Sequence, residues 1–79
     1  NVAVGYANLR SNTTGSNNTS LGELTLSSNT TGNFNTSVGQ QSMKLNTTGT
    51  SNAAIGSGAM YDNTTGSQNV ANGMSALKS

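Results

Sequence analysis

The amino-acid sequence predicts an all-β protein, a parallel β-solenoid or β-roll built from coils of 17 residues. Three observations support this prediction. The tetrapeptide Asn-Thr-Thr-Gly begins at residues 12, 29, 46 and 63, so the period is constant. Nine of the ten glycines fall at two fixed positions of the repeat, and apolar residues recur at two others. Because internal repeats of this kind identify stacked architectures, the period takes precedence over local composition.

The repeat divides the 79 residues into one partial coil and four complete coils. Position 1 of a coil is the Asn of Asn-Thr-Thr-Gly. The coils span residues 1–11 (partial), 12–28, 29–45, 46–62 and 63–79. Since the chain starts partway through a repeat and has no initiator Met, we expect it to be an excerpt or a processed product of a longer protein.

Glycine marks two predicted corners in each coil. Position 4 is occupied by Gly15, Gly32, Gly49 and Gly66, and position 11 by Gly5, Gly22, Gly39, Gly56 and Gly73. Glycine adopts the positive φ angles of many turns without a steric cost. It also disfavours a helix, because each glycine in a helix interior costs about 1 kcal/mol relative to alanine.

We predict two short strands in each coil. Val2-Ala3-Val4 and Ala53-Ala54-Ile55 alternate larger and smaller side chains, which places positions 8 and 10 on one face of a strand. A second strand is expected through positions 12 to 16, where it turns the Leu or Met of position 15 inward. Asn-Thr-Thr-Gly then forms the return corner.

The predicted core consists of two apolar columns, because equivalent residues of a parallel solenoid stack about 4.8 Å apart. Position 10 is expected to form an inward spine of Val4, Leu21, Val38 and Ile55. Position 15 is expected to stack beside it as Leu9, Leu26, Met43, Met60 and Leu77. The small residues of position 9 suit close packing of a second sheet or a neighbouring chain. Because this core is thin, we expect the segment to need further coils or partner chains.

Two asparagine columns are predicted to hold the coils in register. They are Asn12, Asn29, Asn46 and Asn63 at position 1, and Asn1, Asn18, Asn35, Asn52 and Asn69 at position 7. An asparagine amide donates and accepts, so each side-chain carbonyl can accept from the next coil. Asn-Thr-Thr also matches the N-glycosylation acceptor pattern, as do the segments that begin at residues 17, 18 and 35, but we favour the turn-and-ladder interpretation.

The segments "NVAVG", "NTSLG", "NTSVG" and "NAAIG" resemble the head repeats of trimeric autotransporter adhesins. The longer unit that includes "NTTG" is similar to the repeats of phage and bacterial tail-fibre-domain proteins. This resemblance covers essentially the whole chain. It implies a left-handed β-roll, three parallel chains side by side, and an extracellular location on a bacterial surface or a virion. The adhesin repeat is shorter than 17 residues, and Asn72 interrupts the apolar column of position 10.

Composition argues against several classes of function. The five charged side chains and the net charge of +1 offer no cluster of Lys or Arg for nucleic acid. No apolar run is long enough to span a membrane, so no membrane insertion is expected within the segment. His and Cys are absent, and the two carboxylates, Glu23 and Asp62, occupy different repeat positions more than two coils apart. We therefore predict no enzyme, no cofactor and no metal.

The sequence predicts a structural repeat segment of an extracellular fibre, a phage tail fibre or a bacterial adhesin, serving as a shaft or an adhesive head. One alternative is a filament of the chain itself, stacked end to end through open solenoid edges. Another is a repetitive binding face for a glycan, a matrix protein or ice, with a cell-surface receptor or glycan as the partner. The candidate outward column for ice is Thr13, Thr30, Thr47 and Thr64, since adjacent threonines of an extended chain point to opposite faces.

Overall fold

The computed structural model describes residues 1–77, in which each coil contributes one short parallel strand. The strands are β1 (Val2–Val4), β2 (Thr19–Leu21), β3 (Thr36–Val38), β4 (Ala53–Ile55) and β5 (Val70–Asn72). They form one sheet in the order β1-β2-β3-β4-β5, and each residue pairs with the residue 17 positions later. The predicted class, an all-β parallel solenoid, is confirmed. The part of residues 63–79 beyond Leu77 lies outside the described residues.

Each strand ends at the glycine of position 11, which turns the chain sharply. These glycines have φ between 119° and 132°, a region that side-chain-bearing residues rarely adopt. They also lie close to the next coil, since a Cβ built on Gly39 would be 2.7 Å from the carbonyl carbon and oxygen of Gly56. Glycine is therefore required at this corner for two independent reasons.

The glycines of position 4 do not have the positive φ expected at a corner. Their role is close approach. A Cβ on Gly49 would overlap both the Asn46 Oδ1 and the carbonyl oxygen of Gly66 in the next coil. The expectation that both glycine columns supply positive φ is therefore wrong for position 4, where missing side-chain volume allows successive coils to approach.

The second strand predicted through positions 12 to 16 is also wrong. This stretch forms consecutive β-turns, as in residues 39–46, where Ser42 N–H donates to Gly39 O, Lys44 N–H to Gln41 O and Asn46 N–H to Met43 O, each at 3.2 Å. The third residues of the first two turns, Gln41 and Met43, have φ of 60° and 51°. Positive φ at that place is the feature of type II turns. The turns still direct the position-15 side chains inward.

The interior is lined by position 15 on one side and by position 9 on the other. Leu26, Met43 and Met60 are fully buried, and Leu9 is half-buried in the first coil. Leu77, predicted to join this column, is exposed in the last coil, where residues 1–77 place no further coil over it. Facing this column are the small buried residues Ser20, Ser37, Ala54 and Ala71 of position 9.

The inward spine predicted at position 10 is a wrong assignment of strand face. Val4, Leu21 and Ile55 are about half exposed, at 54%, 46% and 47%, and Val38 is only partly buried. Because alternate residues of a strand point to opposite faces, burial of position 9 places positions 8 and 10 outside. The interior is narrow enough that a small side chain faces Leu or Met across it.

Replacing Met43 by alanine tests this assignment of the core. We expect Met43→Ala to lower the free energy of unfolding by about 2–4 kcal/mol, because the side chain is fully buried and leaves a cavity. The matched control is Met74→Ala. Met74 is 80% exposed, and we expect a change within about 0.5 kcal/mol. Chemical denaturation of both variants measures the difference, and equal losses would contradict the assignment.

Candidate interaction surfaces

The outer side of the five-stranded sheet forms a surface that we call the apolar sheet face. It consists of the position-8 and position-10 side chains. Position 8 contributes Val2, Thr19, Thr36, Ala53 and Val70, and position 10 contributes Val4, Leu21, Val38, Ile55 and Asn72. None of these residues is charged. Eight of its ten residues are exposed, and the other two, Val38 and Ala53, are partly buried.

The asparagines of position 7 clamp each coil to the next through backbone groups. The Nδ2 groups of Asn18 and Asn35 donate to Gly32 O and Gly49 O, each at 2.8 Å. The Oδ1 of Asn18 accepts from the Asn35 backbone N–H at 2.9 Å. The same two bonds recur at Asn1 and Asn52. One side chain thus satisfies a carbonyl and an amide of the following coil, which fixes the register of the sheet face.

The asparagines of position 1 form a continuous amide ladder. Asn29 Nδ2 donates to Asn12 Oδ1 at 2.9 Å, Asn46 to Asn29 at 2.8 Å, and Asn63 to Asn46 at 2.9 Å. Each Nδ2 also donates to the position-4 glycine carbonyl of its own coil, as Asn46 does to Gly49 O at 3.2 Å. Glycine at position 4 is what gives these amides room.

The interior is therefore unusually polar for a domain of this size, yet fully hydrogen-bonded. Among residues 1–77, every buried side-chain nitrogen or oxygen has a hydrogen-bond partner. Asn29, Asn35 and Asn46 are completely buried, and their Nδ2 atoms donate within the ladders. In the folded chain these amides are committed to the ladders and are not presented for glycosylation.

The Asn-Thr-Thr-Gly corner is fixed by one carbonyl that accepts several donors. Thr30 O accepts from the N–H groups of Thr13, Thr14 and Gly15 at 3.0, 3.2 and 3.1 Å. It also accepts from the Thr13 hydroxyl at 3.1 Å. The next two coils repeat this arrangement. The corner is a stacked element of the solenoid.

The threonine column predicted to face outward is the less exposed of the two. Thr30 and Thr47 are partly buried, and the hydroxyls of Thr13, Thr30 and Thr47 donate to carbonyls of the next coil. The fully outward column is position 3, where every residue is exposed. It consists of Thr14, Thr31, Thr48 and Thr65. The prediction chose the wrong threonine column because it assumed an extended chain. The corner is not an extended strand, so adjacent side chains there do not strictly alternate between two faces.

The carboxylates of residues 1–77 are not part of a reactive cluster. Glu23 is exposed, and its Oε1 accepts from Gln40 Nε2 at 2.7 Å. Within the described chain, no three carboxylate, imidazole or thiol side chains come together as metal ligands. Residues 1–77 also contain no helix with the length and apolarity needed to cross a membrane.

The geometry is thus that of a stacked coil with an uncharged, apolar outer sheet. Neither the protein-family models, nor the curated proteins, nor the solved structures gave a match.

One pairing within the coils was not predicted from the sequence. In the coils that begin at residues 12, 29 and 46, position 9 packs against position 14, and the two positions are either both polar or both apolar, whereas the first coil holds the unmatched Ala3 and Asn8. Ser20 bonds to the hydroxyl and carbonyl of Thr25, and the Ser37 hydroxyl donates to Ser42 O at 2.9 Å. In the next coil the pair is Ala54 with Ala59, both fully buried. Two polar pairs followed by an apolar pair mark two positions that face each other.

Proposed function

We propose that this segment is a structural repeat of an extracellular fibre, a phage tail fibre or a bacterial surface adhesin. In this proposal three parallel chains lie side by side, and each winds as a left-handed β-roll. The apolar sheet face is the observation that carries the proposal. Leu21 and Ile55 point outward while fully buried Asn35 and Asn46 point inward. Such a distribution leaves apolar area exposed to water, and contact with another chain would remove it.

A second copy of the chain is the partner that this face suits best. The face repeats each time the sheet adds a strand, about every 4.8 Å, and it carries no charge to orient a polar partner. An identical chain in parallel orientation presents the same spacing, so apolar positions meet at every coil. Three sheets around a common axis would cover all three faces equally and leave none open.

A fibre role follows from how the coils hold together. Each coil bonds mainly to the coils on either side, through the sheet and the two asparagine ladders. Proteins built in this way extend in one dimension by adding coils, and their stability is a sum over neighbouring contacts. The segment suits a shaft or an elongated head more than a compact binding domain.

Charges placed on the apolar sheet face test the proposal. We expect the unmodified segment to have three times the mass of one chain in light scattering. Leu21→Asp and Ile55→Asp should each give the mass of a single chain, because a carboxylate buried between chains has no charge partner there. The control Thr31→Asp adds the same charge to an exposed corner and should remain a trimer.

Three results would count against this function. A compact monomer of the unmodified segment would contradict side-by-side assembly. A polymer whose mass grows with concentration would favour the end-stacked filament instead. Equal behaviour of Leu21→Asp and Thr31→Asp would show that the apolar sheet face is not the contact surface.

A further inference from the structure

A recess opens in the surface beside Gly58, in the turns that follow β4. Its volume is about 390 Å³, within the range of about 300–1,000 Å³ typical of small-molecule sites. It is lined by Gln41, Ser57, Gly58, Tyr61, Met74 and Ser75. These residues come from three successive coils and occupy positions 12, 13 and 16. None belongs to the apolar sheet face. Chains that contact each other through positions 8 and 10 would therefore not use the residues that line the recess.

Gly58 is the one glycine outside the two glycine columns, and the backbone does not require it. Its φ is 71°, and the other four coils hold Ala7, Leu24, Gln41 and Ser75 at the same position with φ of 59° or 60°. A Cβ on Gly58 would lie 3.5 Å from Ser75 Oγ, an ordinary contact. The glycine thus serves neither the turn nor the packing between coils. Its effect is to leave the recess open.

The recess combines apolar surface with neutral hydrogen-bonding groups. Tyr61 is half-buried and supplies an aromatic ring, and Met74 supplies an adaptable thioether. Gln41, Ser57 and Ser75 carry amide and hydroxyl groups, which both donate and accept. Of the described residues that line the recess, none is charged. Lys44 lies nearby, with its Nζ 5.6 Å from the centroid of the Tyr61 ring, where the cation contacts the aromatic π-system.

We propose that this recess binds one neutral sugar unit of a glycan. A pyranose has apolar C–H surfaces that can lie against Tyr61 and Met74, and its hydroxyls can donate to and accept from the amide and serine groups. No lining residue offers a cation to a phosphate or carboxylate, and the nearby Lys44 ammonium already contacts the Tyr61 ring. Specific small-molecule sites typically combine this kind of apolar wall with a few polar groups. The inference rests on the proposed function, because it gives an adhesive role to a surface fibre.

Amide chemical shifts test the inference directly. The ¹⁵N-labelled segment would be titrated with the methyl glycosides of glucose, galactose and N-acetylglucosamine. We expect at least one sugar to shift the amides of Ser57, Gly58, Tyr61 and Ser75, with a dissociation constant in the millimolar range. Gly58→Gln fills the recess with the side chain that Gln41 already places in this column. We expect it to weaken binding by at least about tenfold.

Ala7→Gln is the matched control, since it introduces the same side chain in the same column, at φ 59°, in a distant coil. It should leave sugar binding unchanged. Tyr61→Leu keeps an apolar side chain but removes the ring, and it provides a second variant that should also weaken binding.

The inference is overturned if none of the three sugars shifts these amides, or if the shifts survive Gly58→Gln and Tyr61→Leu. Light scattering of the same samples separates this outcome from failure of the fibre proposal. A trimer without sugar-dependent shifts would refute the recess alone. A monomer that retains them would refute the side-by-side assembly and leave the recess standing.

Discussion

Replacing Asn35 by alanine is expected to lower the free energy of unfolding by about 3 kcal/mol. Asn35 is completely buried. Its Nδ2 donates to Gly49 O at 2.8 Å, and its Oδ1 accepts from the Asn52 backbone N–H at 3.0 Å. The same Oδ1 also accepts from Asn52 Nδ2 at 3.2 Å. Alanine would remove all three bonds and leave the Asn52 N–H buried without an acceptor. Urea denaturation followed by circular dichroism measures the loss.

Thr48→Ala is the control for the asparagine experiment. Thr48 lies at the outer corner, outside the apolar sheet face, and is exposed, so its replacement should change stability by less than about 0.5 kcal/mol. If the two variants lost the same amount, the position-7 ladder would not hold the coils together. The bonds lost in Asn35→Ala join uncharged groups, so high salt should not restore the free energy of unfolding of this variant. Recovery at high salt would contradict the ladder interpretation as well.

Replacing Gly39 by alanine is expected to lower the free energy of unfolding by more than about 4 kcal/mol, a loss that is exceptional for a single substitution. The backbone there has φ of 119°, and a Cβ would lie 2.7 Å from the Gly56 carbonyl group of the next coil. Neither problem can be relieved without separating two coils. The segment should show no cooperative unfolding transition or a strongly lowered midpoint.

Two further glycine variants separate the causes of that loss. Gly73 has φ of 127°, but a Cβ built on it meets nothing within 4 Å. Gly73→Ala therefore measures only the cost of placing a side-chain-bearing residue at this φ, about 1–3 kcal/mol. Gly49→Ala lacks the positive φ and measures the overlap with Asn46 and Gly66 alone. We expect Gly39→Ala to lower the free energy of unfolding clearly more than Gly73→Ala does. Similar values for these two would mean that the coils are not packed as closely as the structure places them.

The period of 17 and the parallel stacking were predictable because they are properties of the repeat itself. A shift of 17 residues superimposes Asn on Asn and Gly on Gly, and the sheet register follows the same shift. The asparagine columns were also visible as invariant positions. Their bonding differs between columns. Position 1 makes amide-to-amide bonds, whereas each position-7 carbonyl accepts a backbone N–H.

The facing of the strands was not predictable from alternation alone. Alternation shows that positions 8 and 10 share a face, but it does not identify the face that is inside. Apolarity favoured position 10, represented by Leu21 and Ile55, over position 9, represented by Ser20 and Ala54. The structure buries position 9 instead, because Leu26 and Met60 already fill the interior from the other side. The available signal was the matched polarity of positions 9 and 14, which holds in every coil except the first.

The missed turns have a similar physical origin. Sequence reasoning assigns positive φ to glycine, yet thirteen residues other than glycine adopt it among residues 1–77, including Leu26 and Met43. Most of them donate their backbone N–H to a carbonyl of a neighbouring coil, as exposed Phe34 does to Ser16 O at 3.1 Å, and these bonds offset a local cost of about 1–2 kcal/mol each. The same observation applies to Gly58. Because residues other than glycine adopt positive φ at its position in the other four coils, the turn does not require a glycine there.

We propose that the apolar sheet face joins parallel, in-register chains, and the distance between spin labels on neighbouring chains tests this arrangement. A nitroxide on Thr36→Cys lies in this face, whereas one on Thr31→Cys lies at the outer corner. Facing sheets pack about 10 Å apart, so the Thr36 labels should give one short distance and the Thr31 labels a longer one. Absence of dipolar coupling between Thr36 labels, or a shorter distance at Thr31, would contradict the account.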